Sequence, residues 1–352
     1  MARNPVPDAR RALDPRRLRT GMLVAVGIGV TASLVLAIVS NGRAVLAGIT
    51  ALPIGWLLAA LALSVASWLG QGIGFAALTT EGVGGNVWRM TRAFLGGDFP
   101  ALVSPFGSGG IPGGIFCLSR EGLSTGEASA VITIHSLLTG AFFVIVGAAA
   151  AVLLPLKSAD SSAVVWSGFG AIVVGVAVVV WVALRPQGAS ALLRRFLSGR
   201  LVERVLGPER TARAVSAAER EAGQFAASVR VLMRHRPGAL ALSFAGLFTS
   251  RMCLVLALPV VMYGLGWRGD ILPLMATAVG AMALAVASPT PGGSGAVEAA
   301  LTTLLATQTT APTAAAAALL WRGITYYTEL LAGWLALSRY LATKRRNATA
   351  ED

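Results

Sequence analysis

Apolar residues in this chain gather in long blocks, not in a thin helical stripe or a strand alternation. The blocks run over about 21–40, 52–78, 128–154, 163–184, 238–266, 271–288 and 313–338. Several reach or exceed the roughly 20 residues that cross a bilayer's hydrocarbon core as helix. Backbone polar groups inside lipid must bond internally, so helices are the expected form. A β-barrel would need alternating segments of about ten residues, and the chain has none. Two further apolar stretches, 93–119 and 289–309, are broken by Gly and Pro. Ser124-Thr-Gly-Glu127 fits a capping box, and Asp160 or Ser161, Asp270 and Thr310 fit as N-caps of later helices. The pattern predicts an all-α polytopic membrane protein with about eight transmembrane helices plus a Gly/Pro-broken re-entrant element.

Charge orients the predicted spans. The chain has 352 residues, 29 Lys and Arg against 16 Asp and Glu, and a net charge of +13. Six of the basic residues lie in 1–20, eleven in 185–237 and four in 339–352. With the N-tail inside, Arg43, Lys157 and Arg268 fall outside, one per loop, and the Arg-rich segments up to residue 237 fall inside, as the positive-inside rule requires. The organisation is then a basic cytoplasmic tail (1–20), one transmembrane domain (21–338) containing a cytoplasmic loop (185–237), and a second basic tail (339–352). The run Gly21–Ser40 follows an Arg-rich start but is longer than a signal-peptide core and lacks a clear cleavage site, so it is taken as a retained first helix. Parity requires 93–119 to enter and return on one side, as a pair of half-helices. It requires 289–309 to cross once, as a loop plus a short helix. A second re-entrant hairpin there is the alternative, and it would place the C-tail outside.

High Ala, Gly and Arg content fits a GC-rich bacterial genome, hence a bacterial cytoplasmic membrane. The positive charge is assigned to anionic lipid rather than nucleic acid. Cys117, Cys253, His135 and His235 are too few and scattered for a disulfide framework or a metal site, so no cofactor and no metal are expected. In the loop 185–237, Ala218, Ala222, Phe225, Val229 and Leu232 mark one helix face. That helix would lie on the membrane surface or pack on the protein itself.

The broken segments resemble one another. The first runs Ser104-Pro-Phe-Gly-Ser-Gly-Gly-Ile-Pro-Gly113-Gly114, then Arg120-Glu121; the second runs Ser288-Pro-Thr-Pro-Gly292-Gly293-Ser-Gly295-Ala-Val-Glu298. Each has Ser-Pro, then Pro-Gly-Gly, then a carboxylate, after the second and sixth blocks. Matched Gly/Pro-interrupted segments point to a two-fold internal repeat and to a transporter binding site; tight helix packing is the alternative. Charges within the spans are functional by default. Arg251 and Arg322 lie near the middle of theirs, and guanidinium suits a lipid phosphate. Glu298 would carry a proton or pair an arginine, and Glu298→Gln would then abolish function without loss of abundance. Arg322, Tyr326 and Glu329 are spaced to share a helix face, which allows an Arg322–Glu329 pair. Asp98, Arg120, His135 and Glu329 are secondary or coupling candidates; for His135 a hydrogen-bonded structural role is the bland alternative. No catalytic set can be assembled.

Pro291-Gly-Gly-Ser-Gly-Ala-Val-Glu298 resembles the Pro-Gly-Gly-x-Gly-x-x-Glu signature of the lysylphosphatidylglycerol synthase transmembrane-region family of flippase-like membrane proteins. The last block, Trp321-Arg322-Gly-Ile-Thr-Tyr326-Tyr327, is similar to that family's closing Arg-x-x-x-Tyr helix. The resemblance covers about 20–340. It implies eight or so helices with re-entrant elements, lipid movement between leaflets, and functional positions at Gly292, Gly293, Gly295, Glu298, Arg322 and Tyr326. One departure bears on the substrate: where many members carry an acidic-basic pair and then an Asp, this chain has Thr133-Ile-His135-Ser-Leu-Leu-Thr139, with His135 alone polar enough to stand in. The expected substrates and partners are membrane lipids, an anionic phospholipid or a polyprenyl-phosphate lipid, with a lipid-modifying enzyme as a further partner. A secondary transporter of a small anion or ion, or a non-transporting partner of a lipid or cell-wall glycosyltransferase, are the alternatives. The chain ends 14 residues after the last block, so no fused synthase and no enzyme activity are expected.

Overall fold

The structure, a computed structural model, describes residues 42–79, 86–153 and 237–348, together with Gly27. The expected spans 21–40 and 163–184, the caps Asp160 and Ser161, and the amphipathic stripe of the loop 185–237 lie outside the described residues. Within them every element is helical: α1 (Gly42–Ala51), α2 (Ile54–Leu78), α3 (Val87–Leu102), a 3₁₀ turn (Pro105–Gly107), α4 (Gly110–Arg120), α5 (Thr125–Leu153), α6 (Pro237–Gly264), α7 (Ile271–Ala287), a second 3₁₀ turn (Pro291–Gly293), α8 (Ala296–Ala306), α9 (Ala311–Arg322), a π segment (Gly323–Tyr327) and α10 (Thr328–Ala348).

Among the described residues, three helices are long and apolar enough to cross a membrane: Ile54–Leu78, Thr125–Ala149 and Pro237–Gly264. Their faces are arranged as lipid demands. On α2 the large residues Ile54, Leu58, Val65 and Leu69 point outward, while Ala60, Ser64, Ser67, Gly70 and Gln71 are buried. A soluble helix would show the reverse. Lipid tails supply no hydrophobic drive between helices, so association relies on small residues that let backbones approach. That is how α2 meets α6: a Cβ on Gly70 would lie 2.6 Å from the Gly246 carbonyl oxygen, and one on Gly246 would lie 2.6 Å from that of Gly70.

The predicted caps form in part. The Ser124 N–H donates to Glu127 Oε2 (2.9 Å) and the Glu127 N–H to Ser124 Oγ (3.3 Å), completing the capping box. Asp270 Oδ1 accepts the Leu272 N–H at 3.1 Å and opens α7. Thr310 sits at the N-cap of α9, but its hydroxyl pairs with that of Thr313 instead.

Two helical hairpins organise the rest. At its open end the α3–turn–α4 hairpin is closed by Arg89 Nε donating to Glu121 Oε2 at 2.7 Å. The α7–turn–α8 hairpin is closed by Trp267 Nε1 donating to the Gln308 carbonyl at 3.2 Å. Each therefore leaves and returns at one end. In 289–309, α8 has 11 residues, ~17 Å of helix, shorter than a hydrocarbon core of ~30 Å. It folds back beside α7. α9, the π segment and α10 form a continuous rod, from the closed end of the second hairpin at residue 311 to Tyr340, whose hydroxyl donates to Glu121 Oε1 at 2.5 Å. Residues 311 and 340 are about 44 Å apart along that rod. The two hairpins thus enter from opposite ends, and their tips meet, the Phe106 N–H donating to the Ser288 carbonyl at 3.2 Å.

The tips share a conformation. Phe106 (φ 54, ψ 21) and Gly292 (φ 57, ψ 17) each occupy the middle of a three-residue 3₁₀ turn that leads into an 11-residue helix. The match pairs Pro105-Phe-Gly-Ser-Gly109 with Pro291-Gly-Gly-Ser-Gly295. It is shifted from the sequence pairing of the two Pro-Gly-Gly motifs, because the left-handed residue sets the register. Gly113 and Gly114 consequently fall inside α4, where added Cβ atoms would meet the Gly97 carbonyl and the Ile132 side chain.

Candidate functional site

Where the tips meet the rod, four predicted residues converge. The break before α8 leaves Gly295 at φ 88, and its N–H donates to Glu298 Oε2 at 2.7 Å. The other carboxylate oxygen, Oε1, accepts Arg322 Nε at 2.9 Å, and Arg322 Nη2 donates to the Gly292 carbonyl at 2.9 Å. The Arg322 guanidinium lies 4.0 Å from the centroid of the Tyr326 ring. That ring also covers Gly292, so closely that any Cβ there would collide with it. The Tyr326 hydroxyl donates to the Leu102 carbonyl at 3.1 Å, tying the rod to the first hairpin. Glu298 is 1 % exposed, and Arg322 and Tyr326 are 4 % exposed. Gly293 (φ 71) is buried against Ala285 of α7. This clamp is sealed, and each of its charges has a partner.

Arg322 pairs with Glu298 and not with Glu329. The cause is the π segment between them: a π turn takes more residues per revolution than an α turn, so the side chains beyond it are rotated off the face predicted from α spacing. Glu329 instead joins a second cluster. Asp98 of α3, Arg251 of α6 and Glu329 of α10 interact electrostatically, and Arg251 also acts on His135 of α5. Asp98, Arg251 and Glu329 are half-buried. The direct ion pairs among the described residues are Arg89–Glu121 and Arg322–Glu298, and Arg251 is in neither. Arg251 Nε and His135 Nδ1 are buried without a hydrogen-bond partner among the described residues. His135 packs edge-on against Phe75, ring centroids 4.8 Å apart. A buried donor left without a partner is costly, which sets Arg251 apart from the fully paired Arg322 of the clamp.

Arg120 stands apart from both, exposed at the end of α4 with its guanidinium 5.3 Å from the Phe116 ring centroid. The neighbouring Glu121, with Arg89 and Tyr340, forms a polar knot at the base of the first hairpin that sequence reasoning missed. Among the described residues no group of three or more His, Cys, Asp or Glu could hold a metal ion.

The model of the family described as "Lysylphosphatidylglycerol synthase TM region" matches residues 22–333 of the chain. No curated protein and no solved structure matches it.

Proposed function

The chain belongs to the lysylphosphatidylglycerol synthase TM region family of membrane domains, and on that premise we propose that it moves an anionic phospholipid or a lipid-linked precursor between bilayer leaflets. It acts as a flippase-like transporter, and no chemical step is assigned to it. The observation that carries the proposal is the Asp98–Arg251–Glu329 chamber. It holds a mid-helix arginine that is half-buried, has no direct ion pair among the described residues and carries a buried Nε without a hydrogen-bond partner. Arg251 is the headgroup contact. The Glu298–Arg322–Tyr326 clamp, with Gly292, Gly293 and Gly295 as the backbone that admits it, holds the second hairpin against the rod.

In this proposal the hairpins are re-entrant elements related by an inverted two-fold repeat. The crossings are the expected spans 21–40 and 163–184, together with α2, α5, α6 and the α9–α10 rod. That is about six crossings plus two hairpins, in place of the eight crossings expected from hydropathy. It still leaves the N-tail, the basic loop and the C-tail on one face, the cytoplasmic face of a bacterial membrane. Membrane lipids are the partners, and a lipid-modifying enzyme would supply or consume the moved lipid.

The test is reconstitution of the purified chain into vesicles holding a leaflet-reporting anionic lipid. Faster exchange than in protein-free vesicles supports the proposal. No acceleration with anionic phospholipids or polyprenyl-phosphate lipids contradicts it, and uptake of a small anion under the same conditions would make the chain a solute transporter instead.

A further inference from the structure

The base of the first hairpin gathers arginines around one carboxylate. Arg89, in the first turn of α3, meets Glu121 at the end of α4: its Nε donates to Glu121 Oε2 at 2.7 Å and its Nη2 to the Glu121 carbonyl at 3.4 Å. Tyr340 of α10 donates to the other carboxylate oxygen at 2.5 Å. Glu121 is thus engaged on both oxygens, and Arg89 is committed to it. These bonds join α3, α4 and α10 and bring two further guanidiniums to the same place. Arg92 follows Arg89 by three residues, which makes them neighbours on the helix surface, and it acts electrostatically on Tyr340. Its Nε is buried without a hydrogen-bond partner among the described residues. Arg120 directly precedes Glu121, is exposed, and holds its guanidinium 5.3 Å from the Phe116 ring centroid. Among the described residues neither Arg92 nor Arg120 has an ion pair. The next carboxylate along the chain, Glu127, is held by the Ser124 N–H and hydroxyl. Arg339, beside Tyr340 on α10, has an interaction of its own.

Two features say what fits there. Trp88 is 61 % exposed and lies four residues before Arg92, on the same helix face. An exposed tryptophan beside arginines at a helix end is the pattern of the membrane–water interface, where the indole sits at headgroup level. α10 also continues past Tyr340 into Lys344-Arg345-Arg346, so the site lies on the membrane face from which the basic tail leaves. Basic residues at such a face attract anionic lipid, and a guanidinium whose flat face rests on an aromatic ring keeps its N–H edge for a phosphate. We propose that Arg92, Arg120 and Trp88 form a headgroup site for an anionic phospholipid at the base of the first hairpin, with the lipid phosphate held by the two guanidiniums. The site is separate from the Arg251 chamber and stands whether or not the chain moves lipid. A lipid seated there ties α3 to α4, adding to the Arg89–Glu121 bond.

The test titrates dioleoyl phosphatidylglycerol into phosphatidylcholine-containing micelles of the purified full chain and follows the melting temperature. The expected result is a saturable rise that added phosphatidylcholine does not give. In the double variant Arg92→Gln with Arg120→Gln, which leaves Arg89, Glu121 and Tyr340 in place, the apparent affinity for phosphatidylglycerol falls about fivefold per arginine removed. The control Arg345→Gln with Arg346→Gln removes equal charge from the tail and keeps the affinity nearly unchanged. A wild type without preference for phosphatidylglycerol overturns the proposal, and so does a double variant that binds as the wild type does. An equal loss in the tail control makes the effect one of net charge and overturns the site. The same rise with inorganic phosphate makes the ligand a free anion and overturns the lipid assignment. If the double variant melts lower in phosphatidylcholine alone, Arg120→Glu decides. Charge reversal at that exposed position is expected to weaken phosphatidylglycerol binding without lowering stability in phosphatidylcholine, and wild-type affinity in that variant overturns the proposal.

Discussion

Two arginines lie deep in this chain, and their surroundings are opposite. Arg322 is sealed: a carboxylate, a carbonyl and an aromatic face take up its guanidinium, and it is 4 % exposed. Arg251 is half-buried, has a buried Nε without a hydrogen-bond partner among the described residues, and is acted on by two carboxylates without forming a direct ion pair. By sequence the two look alike, since each is a lone arginine mid-way through an apolar block. The difference teaches that a charge inside a membrane protein has two stable solutions, complete internal pairing or an accessible site whose partner arrives from outside. The first locks helices together, and the second binds.

The contrast can be broken by variants, taken here from the largest stability effect to the smallest. Arg322→Ala strands a buried carboxylate, and breaking a buried pair costs roughly 3–5 kcal/mol. A steep fall in the melting temperature of detergent-purified protein is expected, and unchanged stability would show that the clamp is not structural. Glu298→Gln is expected to lower stability in the same assay, contrary to its sequence-based expectation, because it leaves Arg322 charged and unpaired. Gly292→Ala comes next. It puts a side chain at φ 57, where strain costs ~1–3 kcal/mol, and also pushes the new methyl into the Tyr326 ring. At the equivalent position of the other hairpin, Phe106→Gly should change stability by no more than about 1 kcal/mol. Relief of left-handed strain is offset there by the flexibility glycine adds to the unfolded chain, and Phe106 is 61 % exposed. The same backbone conformation would thus tolerate substitution at one tip and not at the other, as chemical denaturation of the two variants would show. Arg251→Gln should change stability least, because the guanidinium it removes has no direct pairing to lose.

Much of this was legible in the sequence. Block hydropathy shows where α2, α5 and α6 lie, because crossing a bilayer demands length and apolarity together. The Ser124–Glu127 box and the Asp270 cap are local and were read correctly. The Pro-Gly-Gly signature and the last block supplied Glu298, Arg322 and Tyr326, which the fold brings together. What was not legible depends on geometry that composition does not carry. Hydropathy shows α7 and a broken stretch after it, but not that the tip of this hairpin meets the tip of the first, a contact between Phe106 and Ser288. The π segment is invisible in residue types, so Glu329 was placed on the wrong face. The Arg89–Glu121–Tyr340 knot joins residues up to 219 positions apart with no local signal.

The most direct test compares wild type with Arg251→Gln in the vesicle assay, at equal incorporation and equal melting temperature. Loss of lipid exchange in the variant, with the protein's stability intact, is the predicted result. Exchange at the wild-type rate by Arg251→Gln would contradict the assignment of binding to the open chamber.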